Sequence, residues 1–210
     1  MIRNFFFLLF SILVIASQAQ TFAAVKDEAT LRQKIAASAK ATKSIKADFV
    51  QEKNVSMLAE KLISKGIFAF RQNNQVRLEY QQPFQYLMVI NNGKITIRDE
   101  AKTTVMDMHK SKMFQQINNI IVQCVQGNVV NSTDFKVQLS ESANQIKMEM
   151  TPLNKNLKDF FNSIVVLLEK KDFSVAKMIM NEKSGDFTTI LFKNKELNAT
   201  LPDNWFVVAK

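Results

Sequence analysis

Residues 76–97 read VRLEYQQPFQYLMVINNGKITI, and this stretch decides the fold class of the chain. Val76, Leu78 and Tyr80 alternate with Arg77 and the polar residues after it, so the apolar positions recur every second residue. A period of two predicts a β-strand that buries one face and leaves the other to solvent.

The second half of the stretch predicts a hairpin. Pro83 ends the first strand, and residues 85–91 form another, more apolar one. Asn92 and Gly93 follow, and both residue types tolerate the positive φ of a tight turn. Residues 94–97 then continue as the return strand. Neighbouring strands joined in this way are antiparallel.

The same alternation extends in both directions from this hairpin. Further strands are predicted at residues 45–53, 62–71, 102–108, 135–139, 146–150, 164–169, 173–181 and 187–193, and residues 205–208 are expected to close the domain. Spacings near ten residues leave no room for crossover helices, which excludes a parallel sheet. The strands therefore predict an antiparallel meander.

Helical periodicity appears in two segments, and a third segment breaks the strand pattern without it. Leu31, Ile35 and Ala39 predict one N-terminal helix, with acidic residues at its start and lysines at its end. A second, amphipathic helix is predicted between Ser111 and Gly127, laid across the sheet. Its apolar stripe consists of Met113, Phe114, Ile117, Ile120, Ile121 and Cys124. Residues 156–163 form a short helix or an irregular crossing.

The first residues predict export. A positive start is followed by about a dozen apolar residues, which is typical of a secretory signal and too short for a membrane span. We expect residues 1–19 to be a cleaved signal peptide, with Ala24 as the alternative cleavage position and a retained N-terminal anchor as the other interpretation. Residues 20–210 are then one domain, since about 190 residues suffice for a single core.

Composition excludes several classes of function. The 28 Lys and Arg residues exceed the 19 Asp and Glu residues, but the cations are scattered, so nucleic acid is not an expected partner. Anionic lipid headgroups are a plausible weak partner of such a surface. The single cysteine, Cys124, rules out an internal disulfide.

Catalytic and metal-binding residue sets are sparse. His109 is the only histidine, and no serine stands in a nucleophile-elbow context. With one Cys and one His, we predict no zinc site, no cofactor and no enzymatic activity, although an oxygen-only calcium site stays open. A lipid hydrolase or isomerase would need His109, so His109→Ala is expected to leave the cellular function intact.

Adaptable apolar side chains are abundant, with ten Met and seventeen Phe. Met148 and Met150, and likewise Met178 and Met180, each lie two residues apart and therefore share one face of a strand. Methionine surfaces can repack around variable ligands. This pattern fits an ordinary β core as well as a ligand cleft.

Four segments together resemble one known family. They are residues 47–51 (ADFVQ), 65–83 (KGIFAFRQNNQVRLEYQQP), 87–94 (LMVINNGK) with Asp99, and 185–192 (GDFTTILF) with Asn194 and Asn198. Their order and spacing are similar to those of the LolA family of periplasmic lipoprotein carriers. Three positions depart from the family pattern: Gln72 and Asn73 stand where an Arg-Pro pair is common, and Leu78 stands where an aromatic residue is usual.

This resemblance implies a mainly β protein with helices (α+β), an antiparallel incomplete β-barrel with an α-helical lid over its concave apolar face. It implies a periplasmic carrier that shields acyl chains of lipoproteins, or of a related lipid, and delivers them toward the outer membrane. The implied partners are an inner-membrane lipoprotein transporter as donor and the outer membrane or its receptor as acceptor, with the protein acting as a monomer. The alternative is a lipid- or protein-sensing binding module on the same scaffold.

The residues expected to line the acyl-chain cleft come from the inward positions of the strands and from the second helix. They are Phe49, Phe68, Phe70, Val76, Leu78, Tyr80, Met88, Phe114, Ile117, Ile120, Ile121, Met148, Met150, Met178 and Met180.

Overall fold

The computed structural model describes residues 21–125 and 127–208, with the side chains at positions 109, 113 and 125 left out. The predicted signal peptide, residues 1–19, lies outside the described residues. No helix within the described ranges is long and apolar enough to cross a membrane.

Twelve strands and three helices make up the described ranges. The strands are β1 (Ala23–Ala24), β2 (Ser44–Asn54), β3 (Leu62–Arg71), β4 (Gln75–Gln82), β5 (Tyr86–Asn91), β6 (Lys94–Arg98), β7 (Thr103–Asp107), β8 (Phe135–Glu141), β9 (Gln145–Pro152), β10 (Phe161–Glu169), β11 (Val175–Glu182) and β12 (Phe187–Leu197). The helices are α1 (Glu28–Ala41), α2 (Lys112–Val125) and α3 (Lys155–Lys158), and 3-10 turns cover Met108–Lys110, Asn128–Asn131 and Asp203–Phe206.

All strands belong to one antiparallel sheet, in the order β1-β8-β9-β10-β11-β12-β2-β3-β4-β5-β6-β7. Two meanders, β2 to β7 and β8 to β12, are joined where β12 pairs with β2 along most of its length. β1 and β7 are free edges, so the sheet is open. The prediction of an incomplete antiparallel barrel is therefore confirmed.

The hairpin that decided the fold class forms as predicted. Asn92 and Gly93 have φ of 50° and 72° and connect β5 to β6, with Asn91 paired to Lys94. Both central residues in the left-handed region give the turn whose twist matches that of the strands.

α1 begins where the sequence indicates. Asp27 is the N-cap and its carboxylate accepts a hydrogen bond from the Thr30 amide at 3.0 Å. Hydrogen bonding from the Thr30 side chain and then from its amide lowers the pKa of Asp27. Ile35 is the buried residue of this helix and packs into the core that β8 to β11 share.

α2 links two separate hydrophobic clusters on the concave face. Ile120 and Cys124 pack with the buried residues of β8 to β11, whereas Phe114 and Ile121 pack with those of β2 to β6. The apolar stripe of α2 is therefore divided between both halves of the sheet, as expected for a helix laid across it.

The convex face differs from expectation near its centre. Alternation in the sequence predicted that Arg77 and Glu79 face solvent, but the C-terminal segment packs on Arg77, which forms an ion pair with Glu79. Arg77 Nη1 donates to the Trp205 carbonyl at 2.9 Å, and Phe206 is buried against Leu87 and Val89. The predicted closing segment thus forms a 3-10 turn on β4 and β5, because the outward apolar residues of β5 need a cover.

Smaller differences concern the bounds of elements. Strand β10 begins at Phe161, inside the segment 156–163 that was expected to be a short helix or an irregular crossing, and β12 extends to Leu197 instead of residue 193. β11 starts at Val175 instead of Phe173, since Phe173 has a positive φ of 57° and belongs to the preceding turn. The two-residue strand β1, paired with Ser140 and Glu141, was not predicted because two alanines carry no periodicity.

Candidate apolar cavity

A cavity of about 400 Å³ lies between α2 and the concave face of the sheet. Its lining residues come from both of the hydrophobic clusters that α2 connects. Its volume falls within the usual range of small-molecule pockets, roughly 300–1,000 Å³. The structure therefore has a hollow, and not a solid centre, beneath this helix.

The pairing register of the strands places residues of the cavity wall side by side. Ala47, Phe68, Leu78 and Met88 are successive cross-strand partners on β2, β3, β4 and β5, so their side chains form one row across the sheet. Because side chains alternate between faces, every member of this row points to the same side. All four line the cavity.

Ten of the fifteen residues predicted for the cleft line this cavity. They are Phe68, Leu78, Tyr80, Met88, Phe114, Ile117, Ile120, Ile121, Met178 and Met180. They come from both meanders and from α2, so only the folded chain brings them together.

The other five predicted residues, Phe49, Phe70, Val76, Met148 and Met150, are fully buried and are not among the lining residues. Phe49, Phe70 and Val76 belong to the cluster of β2 to β6, and Met148 and Met150 to that of β8 to β11. In strand register they point to the cavity side of the sheet, but neighbouring side chains cover them.

Several lining residues were not named from the sequence. The apolar ones are Ile45, Ala47, Tyr86, Phe160, Phe161, Val175, Ile190 and Phe192. Alternation within β12 would have identified Ile190 and Phe192, which share a face with Thr188. Phe160 and Phe161 follow α3 and carry no periodic signal.

One end of the cavity carries a charged pair. Lys53 Nζ lies 3.2 Å from Glu182 Oε1, and the Thr188 hydroxyl donates to the same oxygen at 3.1 Å. These three residues come from β2, β11 and β12, which adjoin here. The charges of this end are therefore mutually compensated.

Two tyrosines lie nearby on the lining. Tyr80 is hydrogen bonded to Gln51 Oε1 at 3.0 Å, and its ring contacts the Tyr86 ring edge-on at 5.8 Å. Burial raises the pKa of Tyr80 to about 12, and burial followed by the Asp99 charge raises the pKa of Tyr86. Both phenols stay neutral and contribute mostly apolar ring surface.

The opposite end carries Lys195 and Ser174. Lys195 Nζ donates to the Val175 carbonyl at 3.1 Å, and burial lowers the pKa of this lysine. Cys124 is also on the lining, where burial raises the pKa of its thiol to about 12. A thiol in this state is a poor nucleophile.

In the ranges 21–125 and 127–208, no group of three or more His, Cys, Asp or Glu side chains is placed to hold a metal ion. His109 belongs to the 3-10 turn Met108–Lys110 that precedes α2.

Comparison with known proteins gives one family match. The family model described as "Outer membrane lipoprotein carrier protein LolA" matches residues 40–209. A comparison with curated protein sequences finds no match.

Solved structures with a similar fold include a LolA superfamily protein from Nitrosomonas europaea, with 10% identity, TM-score 0.46, and coverage of 84% of this chain and 97% of that chain. A putative outer membrane lipoprotein-sorting protein domain from Vibrio parahaemolyticus has 13% identity, TM-score 0.45, and coverage of 82% and 94%. The MucA/MucB complex structure from Pseudomonas aeruginosa matches with 11% identity, TM-score 0.40, and coverage of 87% and 61%.

Proposed function

The chain belongs to the LolA family of outer membrane lipoprotein carrier proteins, and we therefore propose that it shields acyl chains of lipoproteins, or of a related lipid, in its apolar cavity and delivers them toward the outer membrane. The proposal places the protein in the periplasm. An inner-membrane lipoprotein transporter would supply the cargo, and the outer membrane or its receptor would accept it.

One observation carries the proposal: the cavity of about 400 Å³ between α2 and the sheet, lined from both meanders. At roughly 0.8 kcal/mol per buried methylene, exposing one acyl chain of about fourteen methylenes to water costs on the order of 11 kcal/mol. A carrier has to remove most of that cost, and a preformed apolar hollow does so without opening the core.

The lining also suits release. Met88, Met178 and Met180 are flexible and polarizable, so they can pack against chains of different shape. Few polar groups would contact the middle of a bound acyl chain, because the charged side chains of the lining lie at the two ends of the cavity. Binding that depends on burial alone is reversed once an acceptor membrane offers the same burial.

The test has two steps. The protein is purified in detergent, co-purified lipids are identified by mass spectrometry, and a bound fluorescent fatty acid is displaced with unlabelled lipid. Saturable displacement near one chain per protein is expected. A protein that takes up neither the fluorescent fatty acid nor any cellular lipid would contradict the proposal.

In the second step, the loaded protein is mixed with vesicles made from outer-membrane lipids. A carrier is expected to transfer its ligand to these vesicles. If the ligand binds but stays on the protein, the sensing module is the better interpretation of the same cavity.

A further inference from the structure

The direction of Lys195 depends on an irregularity in β12. Thr188, Ile190 and Phe192 point into the cavity at regular two-residue intervals. Continued alternation would place Asn194 inward and Lys195 outward.

A β-bulge reverses that order. Lys193 pairs with Asp48 and Glu196 pairs with Lys46, so β12 carries one residue more than β2 between these pairs. Asn194 lies at the bulge with a φ of 49°, and its side-chain amide donates to Asp48 Oδ2 at 2.6 Å. Bulges commonly redirect a side chain near a functional site. Here the bulge turns a lysine into the end of the cavity opposite the Lys53–Glu182 pair.

The ammonium group of Lys195 has no carboxylate partner at contact distance. None of the ion pairs formed within the described part of the chain includes Lys195. Its hydrogen bond goes to the main-chain carbonyl of Val175. Lys53, the other lysine on the lining, is instead neutralised by Glu182.

The nearby carboxylates already have other partners. Asp172 accepts hydrogen bonds from the Ser174 hydroxyl at 2.6 Å and from the Ser174 amide at 2.9 Å. Glu169 accepts a hydrogen bond from the side-chain amide of Gln145 at 3.2 Å. Both acidic groups act on Lys195 through space, as does the like charge of Lys171. The ammonium group therefore keeps donor capacity for a ligand.

The two ends of the cavity are thus chemically different. Between Thr188 and Lys195 β12 runs along six residues of β2, because the bulge adds one residue, and at about 3.3 Å per residue this is roughly 20 Å. Phe192 and Ile190 line the interval. An elongated apolar ligand with one anionic end would find its charge matched at Lys195 alone.

Building on the proposed carrier function, we propose that Lys195 binds the anionic end group of a lipid cargo, so that the cavity selects a lipid whose chain ends in a carboxylate or a phosphate over a neutral one. This narrows the cargo to the related lipid, since the acyl chains of a lipoprotein are joined by ester or amide bonds and carry no charge. A charged donor and a charged acceptor form a stronger hydrogen bond than two neutral groups, especially away from bulk water. We expect the charged ligand to bind roughly tenfold more tightly than its neutral analogue.

The experiment measures displacement of a fluorescent lipid probe from the purified protein by laurate, lauryl phosphate and lauryl alcohol. These ligands share one alkyl length and differ in the end group. The ratio between laurate and lauryl alcohol tests for a carboxylate, and the ratio between lauryl phosphate and lauryl alcohol tests for a phosphate. The matched variants are Lys195→Met and Lys193→Met, since Lys193 is exposed and lies just before the bulge.

At least one anionic ligand is expected to bind more tightly than lauryl alcohol to the native chain and to Lys193→Met. Lys195→Met should bind the anionic ligand and the alcohol equally, and Lys195→Arg should restore the preference. If Lys195 only supported the local structure, Lys195→Met would change the affinities for all three ligands by a similar factor.

Equal affinity of the native chain for all three ligands would overturn the role of Lys195 and leave the carrier function in place. So would a preference that survives in Lys195→Met. Failure of every ligand to displace the probe would overturn the carrier function as well. If Lys195→Met does not fold, Lys195→Gln takes its place in the comparison, because it keeps a hydrogen-bond donor for the Val175 carbonyl but carries no charge.

Discussion

Phe49 and Tyr80 contact each other across a strand to which neither belongs. Their ring centroids lie 5.0 Å apart, edge to face, with Phe49 on β2 and Tyr80 on β4. Gly66 of β3 is the cross-strand partner of both residues. A Cβ atom at Gly66 would lie 2.8 Å from Phe49 Cε1 and still closer to the Glu79 carbonyl oxygen. The missing side chain therefore lets the buried Phe49 ring support the Tyr80 ring, which lines the cavity.

Gly66→Ala should destabilise the fold, because the added methyl group collides with the main chain of β4 as well as with the Phe49 ring. Overpacking of this kind costs about 1–3 kcal/mol, and the backbone collision places the expected loss at the upper end. Urea denaturation measures it. Gly185→Ala is the control, since a Cβ there meets nothing within 4 Å and adds only the strain of a positive φ. Equal losses in both variants would contradict the close-approach explanation.

Ile117→Asp on α2 should weaken lipid retention more than it lowers folding yield. Ile117 lines the cavity, and a carboxylate there would have to lose its hydration against a hydrocarbon chain. A reduction of about tenfold or more in co-purified lipid is expected. Asn119→Asp introduces the same group at an exposed position of the same helix and should retain lipid normally. Ile121→Asp repeats the test at a second lining position, and full retention in both Ile variants would count against the cavity as the ligand site.

Stability should fall as the pH rises above about 10. The pKa of Tyr80 is about 12 in the folded protein and 10.0 in its ordinary state, so between these values the folded chain keeps a proton that the unfolded chain releases. The unfolded state then binds fewer protons than the folded state. The free energy of unfolding therefore falls with increasing pH, by at most about 1.4 kcal/mol per pH unit.

The measurement is urea denaturation at several pH values between 8 and 11. It is made on the Cys124→Ala variant, because the Cys124 thiol also has a raised pKa and would add its own pH dependence. Tyr80→Phe should flatten the decline above pH 10. An unchanged slope in this variant would show that the phenol is not the group responsible.

The exported protein should begin at Gln20. Cleavage after Ala24 would remove Ala23 and Ala24, which pair with β8 as the edge strand β1. Mass spectrometry of the protein isolated from the cell envelope determines the first residue. A mature chain that begins at Val25 would show that β1 is dispensable, and a chain that keeps residues 1–19 would favour the membrane anchor.

Local patterns in the sequence determined most of the fold. Alternation in β4, the turn residues Asn92 and Gly93, and the apolar stripe of α2 each specify a structure through neighbours at most a few residues away. Such signals can be read without knowing the rest of the chain, because periodicity and φ preferences are properties of the local backbone. The family resemblance added the open barrel and the covering helix.

Only the tertiary structure decided which inward residues surround empty space. Phe68 and Phe70 lie on the same face of β3, yet Phe68 lines the cavity whereas Phe70 is in solid core. Alternation assigns a face of the sheet, but whether a neighbour covers that face depends on where α2 and the distant strands pack. The same holds for Lys195, whose direction is set by an extra residue in β12 relative to β2, and pairing between strands so far apart in sequence leaves no local signal.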